Sequence, residues 1–454
     1  MTAGLRPRID DGLTGRLART ALAAPDGADV PGWLADWRRG HRFGVRRVPF
    51  AALEGWAFGP TGNLAHRSGR FFTVEGVSVG AADGPVPAWH QPIIVQPEVG
   101  VLGILAREFD GVLHFLMQAK MEPGNPGLVQ LSPTVQATRS NYTKVHRGAA
   151  VPYLEYFTRR GRGRVLVDVL QSEHGTWFYR KSNRNMIIEV DGDVPVLPGF
   201  RWLTLGELGR LLHLPNVVNM DARTVLSCLP AGRDEPGAVA SDVELLSWFT
   251  GERSRHELRV ERIGLNRVAG WRRGAATVEH ELGRYFRVVA VRVEGDGREV
   301  PRWSQPLIEP IGRGVVAFLY RRFAGVPHLL VRARVEPGFA ETVELGPTVQ
   351  CVPRNHAHLS GSDRPPFLSA ALSAAPGRIR YDTVLSEEGG RFLGAESRYM
   401  IVEVDGADVP GPMPRDFHWV TPGQMSTLVR HNHYINVQAR TLLAALTTGA
   451  AGPL

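Results

Sequence analysis

The amino-acid sequence predicts two tandem homologous domains of the α+β class. The first sign is repetition: a stretch from Trp89 to Gly192 returns at a constant spacing of 214 residues. WHQPII at 89–94 recurs as WSQPLI at 303–308, and EPGNPGLVQLSPTVQ at 122–136 as EPGFAETVELGPTVQ at 336–350. SEHGTWF at 172–178 recurs as SEEGGRF at 386–392, and NRNMIIEVDG at 183–192 as SRYMIVEVDG at 397–406. The second sign is the order of elements inside each copy. Short apolar or alternating runs bounded by Gly, Pro, Asp or Asn read as strands, with helical spacing before and after them. That order makes a layered α+β or α/β domain. Duplication of one long unit argues for two domains rather than a solenoid.

In chain order, residues 1–28 carry arginines but no continuous apolar stretch, which predicts a mobile amphipathic tail rather than a secretion signal. Asp29-Val30 reads as an N-cap opening a Trp-bearing helix, the start of a first copy over 29–229. FFTVEGVSV, GVLGILAREF, VLHFLMQAKM, VLVDVLQS and NMIIEV are its strands, and LTLGELGRLLHL and ARTVLSCL its closing helices. PAGRDEPGAVAS, 230–241, has the proline and glycine content of an exposed linker. Asp242-Val243 opens the second copy, 242–446, in the same manner, and 447–454 forms a short tail. Each copy is long enough to bury its own core.

Composition narrows the class. Hydrophobic content of 43% with 22% charge is that of a soluble globular protein, and no run approaches a membrane span. The net charge of +8 permits an anionic partner, but acids such as Glu252, Glu257 and Glu261 interleave with the arginines. A nucleic-acid groove would show a dense basic stripe instead. Two cysteines, Cys228 and Cys351, form neither a disulfide framework nor a zinc site, so a reducing cytoplasm is the expected location. Phosphate-loop, HExxH, dinucleotide G-x-G-x-x-G and GxSxG motifs are all missing from the sequence. Proton transfer by side chains is the chemistry that remains.

All but three of the 53 basic residues are arginine, and the three lysines, Lys120, Lys144 and Lys181, lie in one region. Arginine keeps its proton at any accessible pH, whereas burial pulls lysine toward neutrality, so a retained lysine marks a place where arginine does not substitute. The copies also differ in capability: Tyr142 faces His356, Tyr179 faces Leu393, Lys181 faces Ala395, Asn183 faces Ser397, Asn185 faces Tyr399, Asn125 faces Phe339 and Lys120 faces Arg334. The first copy holds the polar, protonatable member at almost every difference. Glu122 and Glu336, in Glu-Pro-Gly, are turn acids or substrate contacts. Glu173 and Glu387, in Ser-Glu-x-Gly, are turn caps or general bases. Trp89 and Trp303 are core residues or stacking platforms. Asn141, Thr134 and Gln136 bond either a ligand or their own loop, and His146 titrates near neutrality.

The strings WHQPII, QAKMEPGN, LSPTVQATRSNY and SEHGTWFYRKSNRNMIIEV, with their second-copy echoes, resemble the sugar-nucleotide 2,3-dehydratases of deoxysugar biosynthesis. The resemblance covers the chain beyond about residue 28 and includes the duplication. It implies two Nudix-like α/β/α domains with mixed sheets per subunit, although the Nudix metal-binding helix signature is not found, and a homodimer. It implies a thymidine diphosphate (dTDP)-linked 4-keto-6-deoxyhexose as substrate, no cofactor or metal, and a downstream 3-ketoreductase or 3-aminotransferase as functional partner. Carried residue by residue, it puts Lys181 and Tyr179 at the reacting sugar, Glu122 or Glu173 as base and Tyr142 as a second donor. If strand geometry runs through 179–181, Tyr179 and Lys181 share a face. Arg184, Arg139, Gln136 and Asn185 then hold diphosphate and thymine, with Trp89 as a wall and Gln91, Lys120, Asn125, Thr134 and Asn141 completing the pocket. The second copy, with Trp303, Glu336, Gln350, Glu387 and Arg398, forms a degenerate pocket. A non-catalytic nucleotide-sugar-binding protein and a Nudix-type hydrolase are the competing readings.

Overall fold

The computed structural model describes residues 11–23, 29–82, 86–138, 151–230, 237–296, 301–359 and 364–454. Each copy builds a seven-stranded mixed sheet around one central strand. In the first copy this is Gly100–Phe109, a near-continuous apolar run because both its faces are covered. It runs parallel to Ser182–Glu189, which pairs antiparallel with Arg164–Ser172. Its other edge pairs antiparallel with Val112–Met121 and Val135–Ala137. The turn to Val112–Met121 is two residues long, and Asp110 and Gly111 both take positive φ (47° and 78°). This is the Asp-Gly hairpin geometry that matches strand twist. The second copy repeats the sheet in register: Asn183 opposes Gly100 as Ser397 opposes Gly314.

Each copy is long enough to bury its own core, yet the smaller sheets join the two. Phe43–Val48 of the first copy pairs antiparallel with Phe286–Gly295 of the second, and Leu258–Ile263 of the second pairs with Thr73–Ala81 of the first. The two copies thus exchange strands reciprocally. They also share one core: the helices Met220–Leu226 and Val437–Thr447 pack together, and a single apolar cluster runs from Leu102 and Phe115 to Phe318, Ile401 and Leu442. Two fully buried arginines cross this junction. Arg223 donates to Val218 O at 2.6 Å and to Ser386 O at 2.5 Å, and Arg440 to Ile435 O at 2.6 Å and to Ser172 O. Each cation is clothed in carbonyls, which is what makes its burial tolerable.

Two end assignments change as well. Residues 11–22 are not a mobile tail but a helix, Asp11–Leu22, docked on the first copy through buried Leu13, Leu17 and Thr20. Its Arg16 pairs with Glu108 at 2.8 Å and with Glu189. The helix Val30–Gly40 starts at Asp29 as expected, with the side chain accepting from Gly32 N at 2.7 Å. The corresponding helix Asp242–Arg255 is capped one residue earlier than expected, by Ser241 in a reciprocal box with Glu244. No described helix is long and apolar enough to cross a membrane.

Candidate active site

The repeated Glu-Pro-Gly and Ser-Glu-x-Gly motifs are turns that dock on each other across the copies. Gly124 N donates to Gly389 O (2.8 Å) and Gly394 N to Gly124 O (2.9 Å); Gly338 N donates to Gly175 O (2.7 Å) and Arg180 N to Gly338 O (2.7 Å). The approach is so close that a Cβ on Gly124 would sit 1.6 Å from Phe392 O, and one on Gly338 1.7 Å from Phe178 O. Each Ser-Glu-x-Gly turn is braced from behind by the tryptophan motif. Trp89 donates to Gln91 Oε1 at 2.9 Å, and Gln91 to Thr176 O at 2.7 Å. Trp303 and Gln305 repeat the arrangement toward Gly390 O at the same two distances. Trp89, Gln91 and Trp303 are thus tied to these loops by hydrogen bonds.

This cross-docking mixes the two copies in each pocket. The first pocket gathers Lys120 from the strand Val112–Met121, Glu122, Glu173 and Lys181 from the turns just outside strand ends of the first copy, and Asp221 from the helix Met220–Leu226, while Glu388 and Arg391 arrive from the second copy. The groups feel one another's charge: Glu173, Glu388 and Glu122 all act on Asp221, as does Lys120. Burial, with these like charges, pushes the Asp221 carboxyl well up, and Glu388 is raised by burial and by Glu122 and Glu173. Burial pulls Lys181 down to about 8, against the attraction of Glu173 and with the repulsion of Arg391. The Lys181 ammonium donates to Glu98 O and, at 3.0 Å, to Asn183 Oδ1. Asn183 donates in turn to Glu173 Oε1 at 2.6 Å, and Gln136 to Glu122 Oε1 at 2.8 Å. Asn219 donates to Gln136 Oε1 at 3.2 Å, and Lys120 to the Gln136 carbonyl at 3.1 Å. One oxygen each of Glu122, Glu173, Asp221 and Glu388, and the Asn125 Oδ1, is buried without a hydrogen-bond partner among the described residues. Buried acceptors of that kind call for an explanation, and a ligand bearing hydroxyl groups supplies one.

The second pocket is built on the same plan with other chemistry. Glu336 accepts from Gln350 at 2.9 Å, and Gln350 from Asn436 at 2.8 Å. However, Arg334 stands where the first copy has Lys120, Ala395 where it has Lys181, and Phe339 where it has Asn125. Trp177, exchanged from the first copy, corresponds to Arg391, and Gln438 corresponds to Asp221. Glu387 is occupied by His174 Nε2 at 3.0 Å and by the Tyr399 hydroxyl at 2.8 Å.

Several of the expected site residues have other partners within the protein. Tyr179 does not share a face with Lys181, because Arg180 takes φ +49° and breaks the strand before it starts at Ser182. The Tyr179 ring packs instead with Trp89, Val77, Val79 and Ile93, under the guanidinium groups of Arg180 and Arg262. Arg184 lies on the exposed face of its strand and grips Asp168 with two hydrogen bonds of 2.7 and 2.6 Å; Arg398 does the same with Asp382 at 2.8 and 2.6 Å. Thr134 is buried, spanning two strands between Leu105 N and Leu116 O, and Asn185 is buried against Thr224. Arg139, Asn141, Tyr142, Lys144 and His146 lie outside the described residues. Asp221, Glu388 and Arg391 were not anticipated. Comparing the copies exposes each of them, as Asp221 against Gln438, Glu388 against His174 and Arg391 against Trp177, but only the exchange of turns brings the last two to the first pocket.

The NDP-hexose 2,3-dehydratase family model matches residues 27–229 and again 242–446, so the chain belongs to that family. It is 57% identical over 460 residues to the dTDP-4-dehydro-6-deoxy-alpha-D-glucopyranose 2,3-dehydratase of Amycolatopsis orientalis, covering 99% of this chain and 97% of that protein. Proteins of the same description from Saccharopolyspora spinosa and Streptomyces violaceoruber are 50% and 49% identical, over 95% and 93% of this chain and 94% and 97% of theirs.

Proposed function

We propose that this protein is a hydro-lyase that removes the C2 hydroxyl of dTDP-4-keto-6-deoxyglucose, giving a 3,4-diketo-2,6-dideoxy sugar, and that the first pocket is where it does so. The observation that supports this reading best is the convergence of four buried carboxyl groups and three cations with unpartnered acceptor oxygens in one pocket. The 4-keto group acidifies the C3 proton, and the C2 hydroxyl is β to that carbonyl. A carboxylate, Glu122 or Glu173, takes the C3 proton; the electron pair passes toward the C4 oxygen, and the resulting enolate expels the C2 hydroxyl as water. Asp221 and Glu388, raised by burial and by their ionised neighbours, are suited to deliver the proton that makes hydroxide into water. Lys181, with Lys120 and Arg391, stabilises the charge developing on the C4 oxygen. The enol product then tautomerises by protonation at C2.

The second pocket, lacking counterparts of Lys181, Asp221 and Arg391, is the non-catalytic one. A Nudix-like ancestry of the layered halves, a homodimeric assembly, a cytoplasmic location, and onward processing of the reactive diketone by a 3-ketoreductase or 3-aminotransferase belong to the same proposal. It is tested by incubating EDTA-treated protein with dTDP-4-keto-6-deoxyglucose in deuterated buffer, coupled to a 3-ketoreductase with NADPH, and weighing the sugar by mass spectrometry. A 2,6-dideoxy sugar carrying deuterium at C2 is expected. Bound but unchanged substrate would point to a binding protein, and thymidine monophosphate released only on adding magnesium to a hydrolase.

A further inference from the structure

His174 belongs to the first copy but lies against the second pocket, and it joins the two. Its ring is 2% exposed, stacked on Trp177 at 5.3 Å and edge-on to Phe392 at 5.1 Å. One ring nitrogen, Nε2, is 3.0 Å from Glu387 Oε2; the other, Nδ1, is 3.8 Å from Glu173 Oε2, an ionic contact longer than a hydrogen bond. The Tyr399 hydroxyl holds the far oxygen of Glu387 at 2.8 Å, and Asn183 holds the far oxygen of Glu173 at 2.6 Å. Hydrogen bonds thus run from Tyr399 through Glu387 to His174, whose Nδ1 faces a carboxylate of the first pocket across an ionic contact without a hydrogen bond.

We infer that Glu387 and Tyr399 are positioning residues for the reaction in the first pocket, fixing the His174 imidazolium beside Glu173 and so setting that carboxylate's orientation. The inference rests on the dehydratase reading above. Three further features support it. A fully buried imidazolium needs counter-charge, and burial alone would pull His174 down; the two flanking carboxylates instead hold it up, to about 9. The position equivalent to His174 in the second copy is Glu388, so Glu173 has a cation on one side and an acid on the other, an asymmetry that separates a base from a proton donor. Lastly, Tyr399 replaces Asn185: where Asn185 turns to Thr224, the longer phenol reaches Glu387, whose other potential holder, Ser397, is shorter than its counterpart Asn183. The other charged groups facing this chain are Arg223, which acts on Glu387 and Tyr399, and Lys181, Asp221, Glu388 and Arg440, which act on or feel Glu173.

The test compares Glu387→Gln and Tyr399→Phe with the wild type in turnover of dTDP-4-keto-6-deoxyglucose across pH, together with nitrogen-15 NMR of the His174 ring in the free enzyme. The expected result for Glu387→Gln is a kcat lowered about 10- to 100-fold with KM little changed, the acid limb of the profile moved to higher pH, and a ring that loses its second proton at lower pH. Tyr399→Phe changes the same quantities in the same sense by less. A folded Glu387→Gln with the wild-type profile and an unchanged ring titration overturns the inference; if that variant does not fold, an unchanged profile in Tyr399→Phe does so. Wild-type protein that leaves the sugar untouched would instead defeat the dehydratase reading, while the ring titration still reports whether Glu387 holds the imidazolium.

Discussion

At the scale of the residue, Lys181 is where composition alone draws attention. In a chain that writes nearly every cation as arginine, its retention points to a group whose proton is meant to be adjustable, and burial supplies the adjustment. If Lys181 works as the ammonium, its contribution is full below a pH of about 8 and fades as the pH rises through that value. The kcat/KM profile should therefore carry an alkaline limb near pH 8. Lys181→Arg should remove that limb from the accessible range, because arginine stays charged, and Lys181→Ala should lower kcat by about 10²- to 10³-fold at neutral pH. A Lys181→Arg enzyme that keeps the same limb would assign it to another group. Asp221 was equally legible as one letter differing between copies, but its importance is not. What raises its carboxyl is the company of Glu173, Glu388 and Glu122, and that company is set by tertiary structure.

At the scale of the element, pattern reading succeeds where backbone geometry is regular and fails where one residue breaks it. The central strands stand where their runs put them and the first Trp-bearing helix where its cap puts it, the second being capped one residue early, whereas Arg180, at positive φ, severs Tyr179 from the strand that begins at Ser182. Alternation within Ser182–Glu189 turns Asn183 and Asn185 inward and Arg184 outward, so the expected grip of Arg184 on a diphosphate meets an existing ion pair instead. Arg184→Ala should leave KM for the nucleotide sugar unchanged and alter stability by less than about 1 kcal/mol, as exposed pairs do; a tenfold rise in KM would restore Arg184 to the ligand. The Glu-Pro-Gly turn is the opposite case. Because a methyl group on Gly124 collides with the carbonyl of Phe392, Gly124→Ala should cost roughly 2–4 kcal/mol in denaturant unfolding and most of the activity. Wild-type stability in that variant would mean the turns part more easily than their packing implies.

At the scale of the molecule, the duplication was plain in the sequence, but the exchange was not. Periodicity reports which faces of a strand are apolar, and it is silent on which neighbour supplies the hydrogen-bonding edge. Phe43–Val48 and Leu258–Ile263, which the sequence pattern does not mark out as strands, each pair in the other copy's sheet. Separately produced pieces spanning 29–229 and 242–446 should each lack a strand and part of the common core. Circular dichroism should find neither cooperatively folded, and producing the two together should restore a complex. Either piece folding alone to a sharp thermal transition would show that the exchange is dispensable.

The crossing of the Ser-Glu-x-Gly turns bears on how such an enzyme changes over generations. A gene duplication ordinarily leaves one copy free to decay, yet here Glu388 and Arg391, encoded in the second copy, stand among the acids of the first pocket. If the first pocket carries the reaction, selection on it reaches into the half that lacks its own lysine, where Ala395 and Gln438 stand at the positions of Lys181 and Asp221.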